Sequence, residues 1–438
     1  MLKIFRASLF HFLKDPEQTK EIHESYSFIE DGLLVIKNGK VVEVGAYEKL
    51  KEKYDSTEII DYSGKWILPG FVDTHIHYPQ TEMIASHGAE LLNWLETYTF
   101  PTEKQFGSTE YATQISNFFI KQLLQNGTTT ALVFGSVHKT SVDVFFEVAE
   151  KYNMRMIAGK VMMDRNAPFY LLDTPESSYT DSKELIEKWH GRGRLAYAVT
   201  PRFAPTSSPE QLGIAKKLLD EFPEVYLHTH LSENQSELEW VQELFPDSNN
   251  YLDVYHKAGL TRSKSIFAHS IYLSESEWET LGAQNCSVAF CPTSNLFLGS
   301  GLFNLQAAEK HQVRVGMGTD VGAGTSFNML ETLSEAYKVN QLRKAYPEEG
   351  YQHEPLNVLK AFYLATLGGA KALHLERYIG NFEKDKEADF VVLNFQSNDL
   401  LDFRMKRCKT LEERLFVIQT LADQRIIKQT YIMGKPAL

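Results

Sequence analysis

Cysteine is scarce in this sequence: three in 438 residues, Cys286, Cys291 and Cys408, with no Cys-x-x-Cys spacing. So odd and sparse a set excludes a disulfide scaffold and a thiolate zinc site, and reads as small apolar side chains bound for the interior. Basic residues are also in deficit, 45 Lys and Arg against 57 Asp and Glu, for a formal charge of -12. Neutralising nucleic-acid phosphates or an anionic membrane needs clustered cations, so neither is an expected partner and the ligand should be small and not polyanionic. No window approaches the roughly 18 apolar residues of a membrane span. The run Leu9 to Leu13 contains His11 and meets Lys14 and Asp15, which does not suit a signal peptide; a cytoplasmic location is expected. A Gly-rich phosphate loop and the His-Glu-x-x-His motif of zincin proteases are both missing.

What is present is ordinary globular composition, 43% hydrophobic and 23% charged, at a length that suits a barrel with an accessory module. Residues 1 to about 67 read as short strands. The clearest is Gly32 to Gly45, where Asn38-Gly39 supplies the positive φ angles of a two-residue hairpin turn. From Gly70 onward, apolar runs alternate with amphipathic stretches. The runs are Phe71 to His77, Thr128 to Phe134, Met156 to Met162, Leu195 to Thr200, Val225 to His230, Ser265 to His269, Ser287 to Cys291 and Arg314 to Asp320. The stretches include Tyr111 to Gln125, Val142 to Tyr152, Pro209 to Glu221, Gln235 to Phe245 and Ser274 to Leu281. Strand and helix in alternation imply parallel pairing with right-handed crossovers, and eight such units predict an α/β fold closed as a (β/α)8 TIM-like barrel. The connection 78 to 110 is long, carries Trp94, Tyr98 and Phe100, and reads as a lid or pocket wall. After the eighth strand, Asn328 to Leu342 and Pro355 to Leu373 read as helices. Ala388 to Leu393 and Arg425 to Met433 return to strand character, so both chain ends are expected to pair into one module flanking the barrel.

The chemistry lies at strand ends, where barrels of this kind build their sites. His75 and His77 share one strand face. A lone His-x-His carries little weight, but His230 ends the fifth run, His269 the sixth and Asp320 the eighth, with Arg202 just past the fourth. Three imidazoles with a carboxylate suit Zn2+ or Fe2+. Glu233, three residues after His230, stands where a proton carrier for a metal-bound water is needed; taken alone it reads better as a charge favoured at a helix N-terminus. His228 shares the face of His230 and reads as a packed or outer histidine one layer deeper. His374-Leu-Glu376 has the His-x-Glu form of cytidine-deaminase-type sites, but no Pro-Cys-x-x-Cys follows.

These motifs, Pro69-Gly-Phe-Val-Asp-Thr-His75-Ile-His77, His230 with Glu233, His269, Gly318-Thr-Asp320 and the exit Gly380 to Leu393, resemble the amidohydrolase superfamily over essentially the whole chain. The resemblance implies a distorted (β/α)8 barrel over 69–380 and a small β-sandwich from 1–68 and 381–438. It implies His75, His77, His230 and Asp320 as ligands of one Zn2+ per chain, Fe2+ being the alternative, with His269 beside the bound water. Two-metal members bridge their ions through a carboxylated Lys or a Glu on a middle strand; the fourth strand has neither, and Lys160 on the third is a poor substitute. Within the superfamily, His77-Tyr-Pro-Gln80, Pro201-Arg-Phe203, His230-Leu-Ser-Glu-Asn234 and Cys291-Pro-Thr-Ser-Asn295 are most similar to members that deaminate guanine. That implies a purine base bound by Gln80, Arg202 and Phe203 beside His77, His230, Glu233 and Asp320. The implied reaction is hydrolytic deamination of guanine to xanthine and ammonia, with Glu233, His269 and Asp320 sharing the proton transfers, in a homodimer. Lys384-Asp-Lys386 departs from the family at the exit turn only. The rival expectations are a deaminase of adenosylhomocysteine, methylthioadenosine or triazines, which would share the ligands but not His-Tyr-Pro-Gln, and a non-catalytic barrel scaffold, which would have lost ligands.

Overall fold

The computed structural model describes residues 1–55, 57–87, 91–347 and 353–438; residues 88–90 of the expected lid 78 to 110 lie outside the described residues. The chain opens with β1 (Leu2–Phe12) and β2 (Tyr26–Lys37), rich in aromatic and β-branched residues, then β3 (Lys40–Ala46) and β4 (Ile59–Pro69). Asn38 and Gly39 turn β2 into β3 with φ of 54° and 83°, and Lys37 pairs with Lys40 as a two-residue hairpin requires. The strands expected to be short are long, because β1 serves two partners: antiparallel to β2 and parallel to β4, with register shifts that bend it between them.

Then come the barrel strands β5 (Phe71–His77), β6 (Thr128–Phe134), β7 (Arg155–Gly159), β8 (Val161–Met162), β9 (Ala196–Pro201), β10 (Tyr226–Leu231), β11 (Ser265–His269), β12 (Ser287–Phe290) and β13 (Arg314–Met317). The chain ends with β14 (Phe390–Leu393), β15 (Ile427–Ile432) and β16 (Lys435–Pro436). Strands from both ends form one seven-stranded mixed sheet, ordered β16-β15-β14-β4-β1-β2-β3. The parallel barrel runs β5-β6-β7-β9-β10-β11-β12-β13, with β8 paired to β9. Every residue of β5, β6 and β10 is buried, as strands covered on both faces should be.

The seam between β13 and β5 sets the position of the site. It is closed by Thr74 Oγ1 donating to Met317 O at 2.9 Å, Asp320 N to His75 O at 2.9 Å and His77 N to Val321 O at 2.7 Å. Asp73 is wholly buried there and accepts from Thr319 N at 3.0 Å and Thr319 Oγ1 at 2.5 Å; burial lifts its carboxyl to about 7. The close approach needs glycine at 316, where a Cβ would stand 2.3 Å from Thr74 Cγ2.

Helices alternate with the strands. Several are stopped at their N-termini by side-chain caps, such as Ser108 before Thr109–Gln125 and the capping boxes of Thr174 and Asn234. Three sequence expectations are corrected. The run Met156 to Met162 breaks at Lys160, whose buried ammonium turns away to Asp173 at 2.5 Å. The helix over Pro355 to Leu373 is two, Val358–Leu364 and Leu367–Ala372. The break follows from Ala365 O being taken by Val72 N at 2.9 Å instead of the next helical turn. Cys408 is only half-buried, whereas Cys286 and Cys291 are in the core. Helices Pro175–Trp189, Asp399–Met405 and Leu411–Leu421 have no counterpart in the sequence expectations.

The terminal sheet packs on the barrel through Phe10, Phe12 and Trp66, which share a core with Phe71 and Phe119. Buried Arg194 ties the two together through Glu387, at 2.6 Å, and Asp389. Among the described residues, no helix is long and apolar enough to cross a membrane.

Candidate active site

The strand ends converge as their spacing predicts. His75 and His77 leave β5, His230 leaves β10, His269 ends β11 and Asp320 follows β13. Their ring nitrogens meet: His77 Nε2 lies 3.2 Å from His75 Nε2 and 3.2 Å from His230 Nε2. Asp320 Oδ1 stands 3.2 Å from His75 Nε2 and 3.3 Å from His77 Nε2. Ligands bound tetrahedrally at about 2.0–2.1 Å stand about 3.3 Å apart, so these separations fit one small divalent cation. The tautomer of His230 fits as well. Its Nδ1 lies 2.7 Å from Arg202 O, and a carbonyl only accepts, so Nδ1 carries the proton and Nε2 presents a lone pair.

The outer contacts brace this cluster. His228 Nε2 lies 2.7 Å from His75 Nδ1, the deeper position expected for it, and holds the His75 ring. His228→Ala is expected to weaken divalent-cation binding roughly 10–100-fold, read by competition with a chelator. Tyr255 OH donates to His230 O at 2.9 Å. Ser232, His269 and Asp320 adopt φ of 51°, 69° and 50°, a conformation costly for residues with a Cβ and concentrated at working sites.

Burial pulls the imidazoles of His75, His77, His228 and His230 down, His77 to about 3. That direction favours the neutral imidazole, the form that can bind a cation. Burial pushes the Asp320 carboxyl up, but His75, His77 and His269 more than reverse it and hold it well below the usual range. Glu233 has the opposite fate: burial, reinforced by the Asp320 charge, lifts it well above the ordinary carboxyl range. The two carboxyls in one cavity are thus shifted in opposite directions, the pattern of acid-base division. Glu233 Oε2 is 3.3 Å from His269 Nε2, and Asp320 Oδ2 is 3.8 Å from it. Asn295 Oδ1, 2.8 Å from His269 Nδ1, accepts a hydrogen bond from that nitrogen, which leaves the lone pair on Nε2.

A cavity opens over the cluster, lined by His77, Gln80, Arg202, Phe203, Glu233 and Asp320 together with Trp94. All the sequence-predicted site residues are in it or directly behind it. Leu91, Trp94 and Leu95 form one wall, so the long segment after β5 is a pocket wall as expected. Gln80 Nε2 lies 3.2 Å from His77 Nδ1, and Gly322 N donates to Gln80 Oε1 at 3.3 Å.

Sequence reasoning missed Glu103, Ser300 and the role of Asn295. Glu103 is wholly buried and bridges Gln80 and Arg202; Ser300 Oγ donates to Glu233 Oε1 at 3.4 Å. Asn295 closes a motif already singled out, and its place one strand on from His269 was the available signal. His374 lies elsewhere, 3.0 Å from Arg314 Nη1 at the opposite end of β13, and Lys160 is turned away to Asp173.

Comparison with known proteins agrees with this geometry. The amidohydrolase family model matches residues 66–437. The chain is 57% identical to guanine deaminase of Escherichia coli strain K12 over 435 residues, 99% of this chain and 97% of the relative. A solved E. coli guanine deaminase superposes with a TM-score of 0.95 at 56% identity, covering 99% of each chain. The guanine deaminase of C. acetobutylicum, solved with guanine in its active site, superposes with a TM-score of 0.90 at 31% identity, covering 100% of each.

Proposed function

The chain belongs to the amidohydrolase family, and from that premise we infer that it is a metal-dependent enzyme that hydrolyses guanine to xanthine and ammonia. The observation that carries this reading is the meeting, in one cavity, of a cation-ready ring of imidazoles with the buried carboxyl of Glu233 and the Gln80 and Arg202 pair. His75, His77, His230 and Asp320 are the proposed ligands. Three imidazoles and a carboxylate support Zn2+, one per chain, with Fe2+ as the alternative. A divalent cation held there supplies Lewis acidity and lowers the pKa of a water molecule to about 7.

The chain's own groups then account for the proton transfers. Asp320, ionised, and His269, with a bare Nε2, accept the proton of the attacking water. Glu233 donates its proton to the ring nitrogen beside C2, which makes C2 electrophilic. A C2–O bond forms and the C2–N bond breaks as the amino group takes a proton by way of Glu233. Ammonia leaves and xanthine remains.

Arg202 presents fixed donors that suit O6 of guanine, Gln80 reads the adjoining edge and Phe203 packs beside the ring. Adenine places an amino donor where guanine has O6, so those buried donors would be left unpaired and discrimination should be large. The sequence resemblance supports a homodimer, and two buried thiols and no disulfide among the described residues are compatible with the reducing cytoplasm. The substrate assignment is tested by ammonia release from guanine, adenine, cytosine and adenosylhomocysteine under one set of conditions. Guanine is expected to exceed the others by at least roughly 100-fold in kcat/KM; a preference for adenosylhomocysteine would overturn the assignment.

A further inference from the structure

Glu103 has no place in the metal ring or in the proton transfers, yet its carboxylate has 0% exposure and sits against the cavity. It ends the short helix Phe100–Glu103 in the segment after β5. Its two oxygens are divided between two residues from different parts of the barrel. Oε1 accepts from Gln80 Nε2 at 3.2 Å, and Oε2 accepts from Arg202 Nη1 at 2.8 Å. Phe100 lies under the same guanidinium, 5.7 Å from Cζ to ring centroid. A buried carboxylate is costly unless paired and hydrogen-bonded on both oxygens, and here that requirement is met only while Gln80 and Arg202 hold these orientations.

We propose that Glu103 is a positioning residue that sets base specificity by clamping Gln80 and Arg202 in the orientation that reads the O6 side of the purine. The proposal rests on the assignment of those two residues to the base. Arginine has several donors on a long, flexible stem. With Nη1 committed to Glu103, the guanidinium plane is set before substrate arrives, and its other N–H groups are the ones left for the base. The Gln80 amide is likewise fixed, its Nε2 by Glu103 with His77 Nδ1 beside it and its Oε1 by Gly322 N at 3.3 Å, which leaves the second lone pair of Oε1 for the base. Ordering done in advance lowers the cost of binding, so losing the clamp should appear in KM. The reacting atoms face Glu233, His269 and the metal ligands, none of which Glu103 touches, so kcat should be spared.

If Glu103 does no more than neutralise a buried arginine and hold the 78–110 segment in place, all substrates should suffer alike. The test uses metal-loaded wild type, Glu103→Gln and Glu103→Asp, each assayed on guanine and on 2-aminopurine, which keeps the 2-amino group and lacks O6. For Glu103→Gln the KM for guanine is expected to rise roughly 10–100-fold with kcat within about 3-fold, while the KM for 2-aminopurine moves by less than about 3-fold. The preference for guanine over 2-aminopurine should therefore fall by at least about 10-fold. Glu103→Asp keeps the charge on a shorter arm and should fall between wild type and Glu103→Gln; it decides the matter if Glu103→Gln does not fold. An equal loss on both substrates, or a fall in kcat at unchanged KM, overturns the proposal. A wild-type protein that does not deaminate guanine would instead overturn the function on which the proposal rests.

Discussion

Glu233→Gln is expected to lower kcat on guanine by roughly a thousandfold with the metal content unchanged. The geometry separates the two properties. Glu233 contributes no atom to the ring of His75, His77, His230 and Asp320, and its carboxyl contacts His269 and Ser300. What the substitution removes is a titratable proton, one whose retention burial and the Asp320 charge favour. An amide in the same volume keeps hydrogen-bonding capacity but cannot give up a proton to the ring nitrogen or relay one to the departing amine. Metal analysis and steady-state turnover on one preparation check this. Activity within about 10-fold of wild type would place the acid elsewhere, contrary to the roughly 10²–10⁴-fold typical of general acid-base groups.

His230→Ala is expected to act in the opposite sense, removing metal and turnover together. Its ring nitrogen is 3.2 Å from that of His77, and its other nitrogen is held by Arg202 O. Substitution thus opens one side of the proposed ligand ring and frees the carbonyl of Arg202, the residue proposed to read the base. Changes to outer partners of metal ligands cost roughly 10–100-fold in affinity, and loss of a ligand itself should exceed that. The purified variant should carry well under one equivalent of metal and show turnover only under excess added Zn2+. Full stoichiometric metal in His230→Ala, with turnover retained, would exclude this residue from the site.

Much of the site was legible because its residues follow rules that act along the chain. The two-residue period of a strand puts His75 and His77 on one face, and the same period puts His228 behind His230. The tendency of barrel sites to occupy C-terminal strand ends selects His230, His269 and Asp320 from 14 histidines and many acids. Glu103 obeys no such rule. It lies in an irregular segment, and its partners stand 23 and 99 residues away along the chain, so only the folded arrangement shows that its carboxylate joins Gln80 to Arg202.

The breaks at Lys160 and Ala365 were hidden for a similar reason. In each case the cause is a partner outside the run itself: Asp173 for the first and Val72, from the other end of the barrel sequence, for the second. The long terminal strands were underestimated because β1 is shared between β2 and β4, a pairing that hydropathy does not encode.

The most direct test of the central claim is the conversion of guanine to xanthine by metal-stripped protein titrated with Zn2+, with xanthine and bound metal both quantified at each point. Turnover should be absent at the start, rise in proportion to bound Zn2+ and level off at one equivalent per chain. Xanthine formation that does not depend on metal, or no xanthine at full occupancy of the site, would contradict it.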